Sequence, residues 1–546
     1  MSIPWWQSAV GYQIYPRSFQ DSNHDGIGDL PGITQHIPDL KALGVDFLWL
    51  NPIYQSPNVD NGYDIADFQA IDPAYGTWQD FETLLTTAHA NDLRVIMDLV
   101  VNHTSDQHAW FQAARQSKTS PYHDYYIWQE NIDGTPPNAW LNFTGDNTWA
   151  YNEATDEWYF HLFAPEQPDL NWENAQLQTE IIAMINWWAD QKIDGFRLDA
   201  LSHLKKVPFN TPQPVGDEQF SIFSNNPGIE VFLQKLHATF QARGLMTVGE
   251  AGGVHADTAA VWTGPSGFMN MIFELEHQSR ASEFPPKADL AHLFNSFTEW
   301  QEALNQQGWL GLYLENHDQP RSITVYGDDQ PLAAKALATL LLTLRGTPFI
   351  FQGEELGMTN VAFTEPEQID DPPVRAAYEH LVATGVNPTE ALNQATSWSR
   401  DNSRTPYQWT TNGFGNSAAE RDTSWLLTNP NTTSLNHANQ LQEPSSVLHY
   451  YQKLLAYRKH DLTLQTGRFK RITTNHDLVF AFLRYTDEAT RLMFINLSDQ
   501  PAKIKLPNDI ATNSAWVPAI SNTEALPPIT ATLELAPYQA GIYEKV

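Results

Sequence analysis

The sequence predicts an α/β protein built on a (β/α)8 barrel, with a small domain inserted after the third strand and an all-β sandwich domain at the C-terminal end. Three observations carry this. Eight short apolar runs punctuate the first 355 residues. Amphipathic helical periods separate most of them, and strand–helix alternation of this kind builds a parallel sheet. After the segment SVLHYYQKLLAYRKH the texture changes to short β-like runs broken by Pro, Asn and Asp. Eight such units most simply close into a barrel. A doubly wound sheet with long insertions is the alternative at this level.

In chain order the strand candidates are VGYQIY, VDFLWL, RVIMDLVV, GFRLDA, LMTVGEA, FMNMIFE, GLYLENHD and PFIFQGEE. Helical periods such as ITQHIPDLKALG, WQDFETLLTTAHA and LQTEIIAMINWWADQ lie between them. Two gaps are too long to be structureless loops of a compact domain. The expected organisation is a first barrel segment over 1–102, an inserted domain over 103–170, and a second barrel segment over 171–465. That second segment carries an insertion after the eighth strand at about 354–444, and the C-terminal β domain covers 466–546.

Composition narrows the function classes. The formal charge of -33 argues against a phosphate-backbone partner, because nucleic-acid binding rests on clustered Lys and Arg. With no cysteine, a thiol nucleophile and a thiolate metal site are excluded, and a reducing, cytoplasmic location is expected. No apolar run is long enough to suggest a membrane span. The 19 Trp and 20 Tyr supply flat faces suited to sugar rings, although most should serve in packing. The expected partner is a small neutral oligosaccharide, with no obligate protein partner evident.

Near the start, SFQDSNHDGIGDL alternates Asp21, Asn23 and Asp25 around Gly26, the oxygen-rich pattern a hard cation needs. An EF-hand would place a bidentate Glu at the twelfth loop position, and that position is Gly32. The preceding segment also reads as a strand rather than an entering helix. The loop therefore belongs to some other architecture.

Several runs end in residues a buried strand would not want: Asn102 and His103, Asp199, Glu250, His317 and Asp318. In a barrel these C-terminal strand ends share one face, where catalytic groups gather. The strand period of two puts Arg197 and Asp199 on the same side, so the guanidinium should keep Asp199 an anion and a candidate nucleophile. Glu250 has no basic neighbour in its own run, and its pKa is expected to rise toward that of a general acid. Carboxylates of opposite character are the equipment of glycoside hydrolysis. Ion-paired structural acids are the competing account of the same spacing.

The motifs DLVVNHTS, DGFRLDA, TVGEAGG and ENHDQPR resemble, in order and spacing, the four signature regions of the alpha-amylase superfamily of glycoside hydrolases. QPDLNW and SRDNSRTPYQW are similar to its oligosaccharide-cleaving alpha-glucosidase branch. This resemblance implies that Asp199 is the nucleophile, Glu250 the general acid/base and Asp318 the transition-state-stabilising third carboxylate. It further implies that His103, Arg197 and His317 bind the sugar in the cleaved subsite, that Asp60 hydrogen-bonds it and that Tyr63 stacks on it. Arg400 would join Asp60 in sealing the pocket behind a non-reducing end, which implies exo action, and Phe143 and Phe163 would line the entrance. The opening loop resembles the branch's metal loop, in which Asp21, Asn23, Asp25, the Ile27 carbonyl and Asp29 hold a structural Ca2+ or Mg2+. No organic cofactor is implied.

For linkage, Ala200 after the nucleophile resembles the α-1,4-cleaving members, whereas valine there accompanies α-1,6 cleavage. The expectation is a retaining alpha-glucosidase acting on maltose-like sugars, with transglucosylation open to it. The alternative is an oligo-1,6-glucosidase acting on isomaltose-type sugars. A trehalose-6-phosphate hydrolase would need a cationic patch, and a sucrose isomerase an Arg-rich loop where this chain reads RSITVYGDD. A non-catalytic amylase-fold subunit would have lost acids that this chain keeps.

Overall fold

The computed structural model describes residues 3–278, 289–413, 424–511 and 515–546. Eight parallel strands form a closed barrel, each arising from one of the eight apolar runs. In chain order these are β1 (Gly11–Ile14), β2 (Phe47–Leu50), β3 (Arg94–Val100), β4 (Gly195–Asp199), β5 (Met246–Glu250), β6 (Met271–Phe273), β7 (Leu310–Leu312) and β8 (Thr347–Phe351). Their order around the barrel is β1-β8-β7-β6-β5-β4-β3-β2. The doubly wound alternative is thereby excluded. Helices Trp78–Ala90, Ala175–Asp190 and Val447–His460 form where the apolar period is helical. The period ITQHIPDLKALG instead yields two helices, Leu30–Gln35 and Ile37–Leu43, hinged at His36. Pro38 has no N–H to continue the ladder, so one helix cannot run through.

The chain divides into two compact units, one of residues 1–48, 87–93 and 274–546, the other of residues 49–86 and 94–273. In the second unit β3 pairs with β4 and β4 with β5, in a register that sets Asp98 beside Arg197 and Leu198 beside Gly249. Gly195 opens β4 because nothing larger fits: a Cβ there would stand 2.2 Å from the Met246 carbonyl oxygen. Between β3 and β4 lies a three-stranded antiparallel sheet with Glu157–Phe160 at its centre, flanked by Trp128–Glu130 and Trp149–Asn152. Its core of Ile127, Trp140, Trp149, Phe160 and Leu162 is completed by Phe223, which comes from the segment after β4.

In the first unit, β1 pairs with β8 and β7 with β8. The segment after β8 carries helices Pro372–Ala383 and Pro388–Thr396 over a core that includes Phe363, Ile369 and Leu392. The C-terminal part holds a five-stranded antiparallel sheet and a two-stranded one, Ala502–Lys505 with Thr532–Leu535. Their inner faces share a core through Phe494, Ile504, Leu535 and Tyr543. Burial alternates along Ala502–Lys505 and Thr532–Leu535, as expected of strands with one face on a core. Among the described residues no helix is long and apolar enough to cross a membrane.

Candidate active site

At the C-terminal ends of β3, β4 and β5 one guanidinium gathers three acids. Arg197 Nη1 lies 2.7 Å from Asp98 Oδ1 and 2.5 Å from Asp199 Oδ1, and Nη2 lies 2.6 Å from Glu250 Oε2. The alternation of GFRLD puts Arg197 and Asp199 on one side of β4, as the sequence predicted. Cross-strand register then brings Asp98, fully buried, against the same guanidinium. Trp49 Nε1 donates to Asp98 Oδ2 at 2.8 Å and the Tyr63 hydroxyl donates to the same oxygen at 3.2 Å, fixing the carboxylate that orients Arg197. The guanidinium carbon stands 5.2 Å from the Trp49 ring centroid. Burial works against the Arg197 charge, but its acids, Asp98 foremost, hold it protonated.

Two expectations are corrected here. Glu250 does have a basic partner: it comes from the neighbouring strand, where a search along its own run cannot find it. Nor is Asp199 simply held as an anion. Burial pushes its carboxyl well above the usual range, Arg197 pulls against this, and the nearby Glu250 and Asp98 charges add to the upward push. The reason is that one guanidinium divided among three acids cannot offset desolvation for each of them. Glu250, with a side chain 32% exposed, is more open than Asp199, at 12%.

Ala200, next after β4, adopts the left-handed conformation with φ 46° and ψ 32°. A β-branched side chain is strained there, which gives a small residue at this position a backbone reason. His103 is buried, with Nε2 lying 3.2 Å from the Tyr63 carbonyl oxygen and 3.1 Å from Gln167 Nε2. Burial lowers its pKa, keeping the imidazole neutral. Gln167 Nε2 also donates to Asp60 Oδ2 at 3.0 Å, so this amide joins two of the expected sugar contacts. Behind them Lys206 pairs with the buried Asp169 at 2.5 Å. Phe163 packs on His103 at 5.0 Å between centroids and Phe143 on Phe163 at 5.5 Å.

In the other unit, His317 and Asp318 follow β7. Asp318 Oδ2 lies 3.0 Å from His317 Nε2, and Oδ1 lies 2.8 Å from Arg404 Nη2 and 3.6 Å from Arg400 Nη1. Burial acts to raise the Asp318 pKa, but His317, Arg404 and Arg400 outweigh it and hold the carboxyl well below its usual range. Arg404 Nε also donates to the His317 carbonyl at 2.8 Å, and the Tyr15 ring stacks on His317 at 6.2 Å between centroids. Arg400 Nη2 also lies 2.9 Å from Oδ1 of the buried Asp371.

The acidic loop of the same unit is stitched to its own backbone. Asp21 accepts from the N–H groups of His24 at 2.7 Å and Gly26 at 2.9 Å, Asn23 from Asp25 at 2.9 Å, and Asp25 from Ile27 at 2.9 Å. Gly26, at φ 92°, makes the turn that this wrapping requires. The donor chemistry suits a hard cation, since Asp21, Asn23, Asp25, Asp29 and the Ile27 carbonyl all offer oxygen atoms. Among the described residues no group of three or more His, Cys, Asp or Glu side chains is arranged to hold a metal ion.

Three residues escaped the sequence reading. Asp98 sits inside an apolar run, and that was its signal: a carboxylate in a buried strand needs a cation. Arg404 lies four residues beyond Arg400 in the same motif. Gln167 carried no signal, because a neutral amide in a loop is unremarkable by spacing.

The Asp199 shift yields a stability prediction. Below about pH 4 Asp199 is protonated folded and unfolded alike; above it the native state binds more protons, so ionisation erodes stability as pH rises. Asp199→Asn, which still offers Arg197 an acceptor, should therefore raise Tm at pH 7 by about 2–4 °C, with the difference vanishing near pH 4. Thermal unfolding of both proteins across this range checks it. A less stable Asp199→Asn at pH 7 would contradict the upward shift.

Comparison with known proteins places the chain. The model of the alpha amylase catalytic domain matches residues 13–467, and that of the maltogenic amylase C-terminal domain matches residues 469–542. An oligo-1,6-glucosidase of Halalkalibacterium halodurans is 42% identical over 560 residues, covering 100% of this chain and 99% of the relative. An alpha-glucosidase of Pediococcus pentosaceus is 40% identical, covering 94% and 99%. Among solved structures, trehalose-6-phosphate hydrolase of Bacillus licheniformis is 36% identical with a TM-score of 0.94 over 100% of each chain. With four signature motifs, a closed barrel and a catalytic-domain match spanning most of its length, the chain belongs to the alpha-amylase family of glycoside hydrolases.

Proposed function

We propose that the protein is an exo-acting, retaining glucosidase that removes glucose from the non-reducing end of short α-1,6-linked oligosaccharides such as isomaltose. The observation that carries the chemistry is the guanidinium of Arg197 bridging Asp199 and Glu250. Asp199 Oδ1 and Glu250 Oε2 lie 2.5 and 2.6 Å from the two terminal nitrogens of that one guanidinium, the adjacency that a retaining pair of carboxyls requires. In the proposed cycle the Asp199 carboxylate attacks the anomeric carbon while Glu250 gives its proton to the departing oxygen. Glu250 then takes a proton from water, whose oxygen displaces Asp199 and releases α-glucose. A sugar hydroxyl replacing that water gives transglucosylation. Asp318, held anionic, is assigned to the sugar hydroxyls and the oxocarbenium-like transition state, with His103, His317, Asp60, Tyr63 and Arg400 as further sugar contacts. A cysteine-free chain supports a cytoplasmic setting.

The α-1,6 linkage replaces the α-1,4 linkage favoured from Ala200 alone, because the full-length oligo-1,6-glucosidase relative is the closer of the two glucosidases compared. The α-1,4 reading keeps one specific observation, the small residue at Ala200. A difference of methyl size is worth only about 1–3 kcal/mol, too little to outweigh resemblance over the whole chain. Initial glucose release from isomaltose and maltose, with Asp199→Asn as the blank, separates the two. Faster isomaltose cleavage is expected. Faster maltose cleavage would establish the α-1,4 reading, and release from neither would overturn both.

The acidic loop is proposed to hold one Ca2+ or Mg2+ through Asp21, Asn23, Asp25, Asp29 and the Ile27 carbonyl, as a structural ion. Elemental analysis of the purified protein should find one such ion per chain. Dialysis against EDTA should lower Tm, and added Ca2+ should restore it, as expected of a ligand bound only by the native state. Protein without metal whose Tm ignores EDTA would remove the ion from the account.

A further inference from the structure

Two irregular segments, 137–147 of the inserted domain and 207–223 after β4, are joined by side chains rather than by strand pairing. Gln213 Oε1 accepts from the Leu141 N–H at 2.8 Å, and its Nε2 donates to the Leu141 carbonyl at 3.0 Å. One amide thus supplies both bonds that a neighbouring strand would otherwise give this residue. The same Nε2 donates to the Gln219 carbonyl at 3.1 Å, tying the clamp to its own segment. Trp140 Nε1 reinforces it by donating to the Thr211 carbonyl at 2.8 Å.

Close to the clamp in the chain stands a pair of rings. Phe143, two residues beyond Leu141, meets Phe220 at 4.9 Å between centroids. These rings end a series that starts at His103, continues through Phe163 at 5.0 Å and reaches Phe143 after a further 5.5 Å. Exposure rises along it, from 1% at His103 to 38% at Phe143, so the series runs from the buried cluster toward solvent. Its steps are comparable with one pyranose ring, and aromatic faces suit the apolar faces of sugars.

We propose that Gln213 is a positioning residue for chain length: it fixes the Phe143–Phe220 pair as the contact for the second sugar beyond the cleaved bond. This rests on the reading of the protein as an exo-glucosidase. A disaccharide ends before that pair, and a trisaccharide reaches it. Gln213→Ala frees the Leu141 backbone pair and lets the two rings drift apart without touching the acids.

The test is kcat and KM of the wild type, Gln213→Ala and Gln213→Glu on isomaltose and isomaltotriose, or on maltose and maltotriose if that linkage is preferred. Gln213→Ala should raise KM for the trisaccharide about fivefold, with KM for the disaccharide and kcat for both within about twofold. Gln213→Glu keeps the acceptor but sets a carboxylate against the Leu141 carbonyl, so it should shift trisaccharide KM in the same direction, and it serves if the alanine variant does not fold. Equal shifts on both sugars, or none, in an active protein overturn the inference while leaving the glucosidase reading intact. A wild type inert on all four sugars overturns that reading, and the inference with it.

Discussion

A buried guanidinium is expensive unless acids surround it, and the arrangement at the ends of β3, β4 and β5 follows from meeting that cost for Arg197. Its partners come from three adjacent strands, so the ion network forms only when the strand register is right. A slip of one residue would turn Arg197 away from the acids and leave their charges unpaired, which links barrel assembly to site assembly. Asp98 is the least conspicuous member. Fully buried and held by Trp49 and Tyr63, it sets the plane of the guanidinium on which Asp199 and Glu250 then align.

The same physics gives two carboxylates of this protein opposite characters. Asp318 faces two guanidiniums and a histidine, of which Arg400 is shared with another acid, Asp371, and it is held ionised. Asp199 shares one guanidinium with two other acids, and burial pushes its carboxyl upward. Charge at each position follows from how many cations an acid has to divide, not from its depth alone. His103 is kept neutral by burial, so it adds a polar group to this cluster without a further charge.

Much of this was legible in the sequence because it rests on short-range pattern. Eight apolar runs became eight barrel strands, and the period of two alone put Arg197 beside Asp199. What escaped depends on contacts that no local pattern encodes. The environment of Glu250 was misjudged because its cation lies on the neighbouring strand. The core of the inserted domain borrows Phe223 from beyond β4, and Gln213 clamps Leu141 across a gap of 72 residues. The segment 207–223 has neither helical nor strand period, so nothing in it announced a structural role. Asp98 was readable in principle, since an acid within a fully apolar run demands a partner.

The central claim is that Asp199, aligned by Arg197, forms the covalent bond to the sugar. Its most direct test is to trap that bond with a fluorinated glucosyl fluoride, whose slowed release lets the intermediate accumulate, and to locate the label by mass spectrometry of the digested protein. The account predicts one glucosyl group on the peptide carrying Asp199. A label on Glu250, on Asp318 or on no acid at all would contradict it.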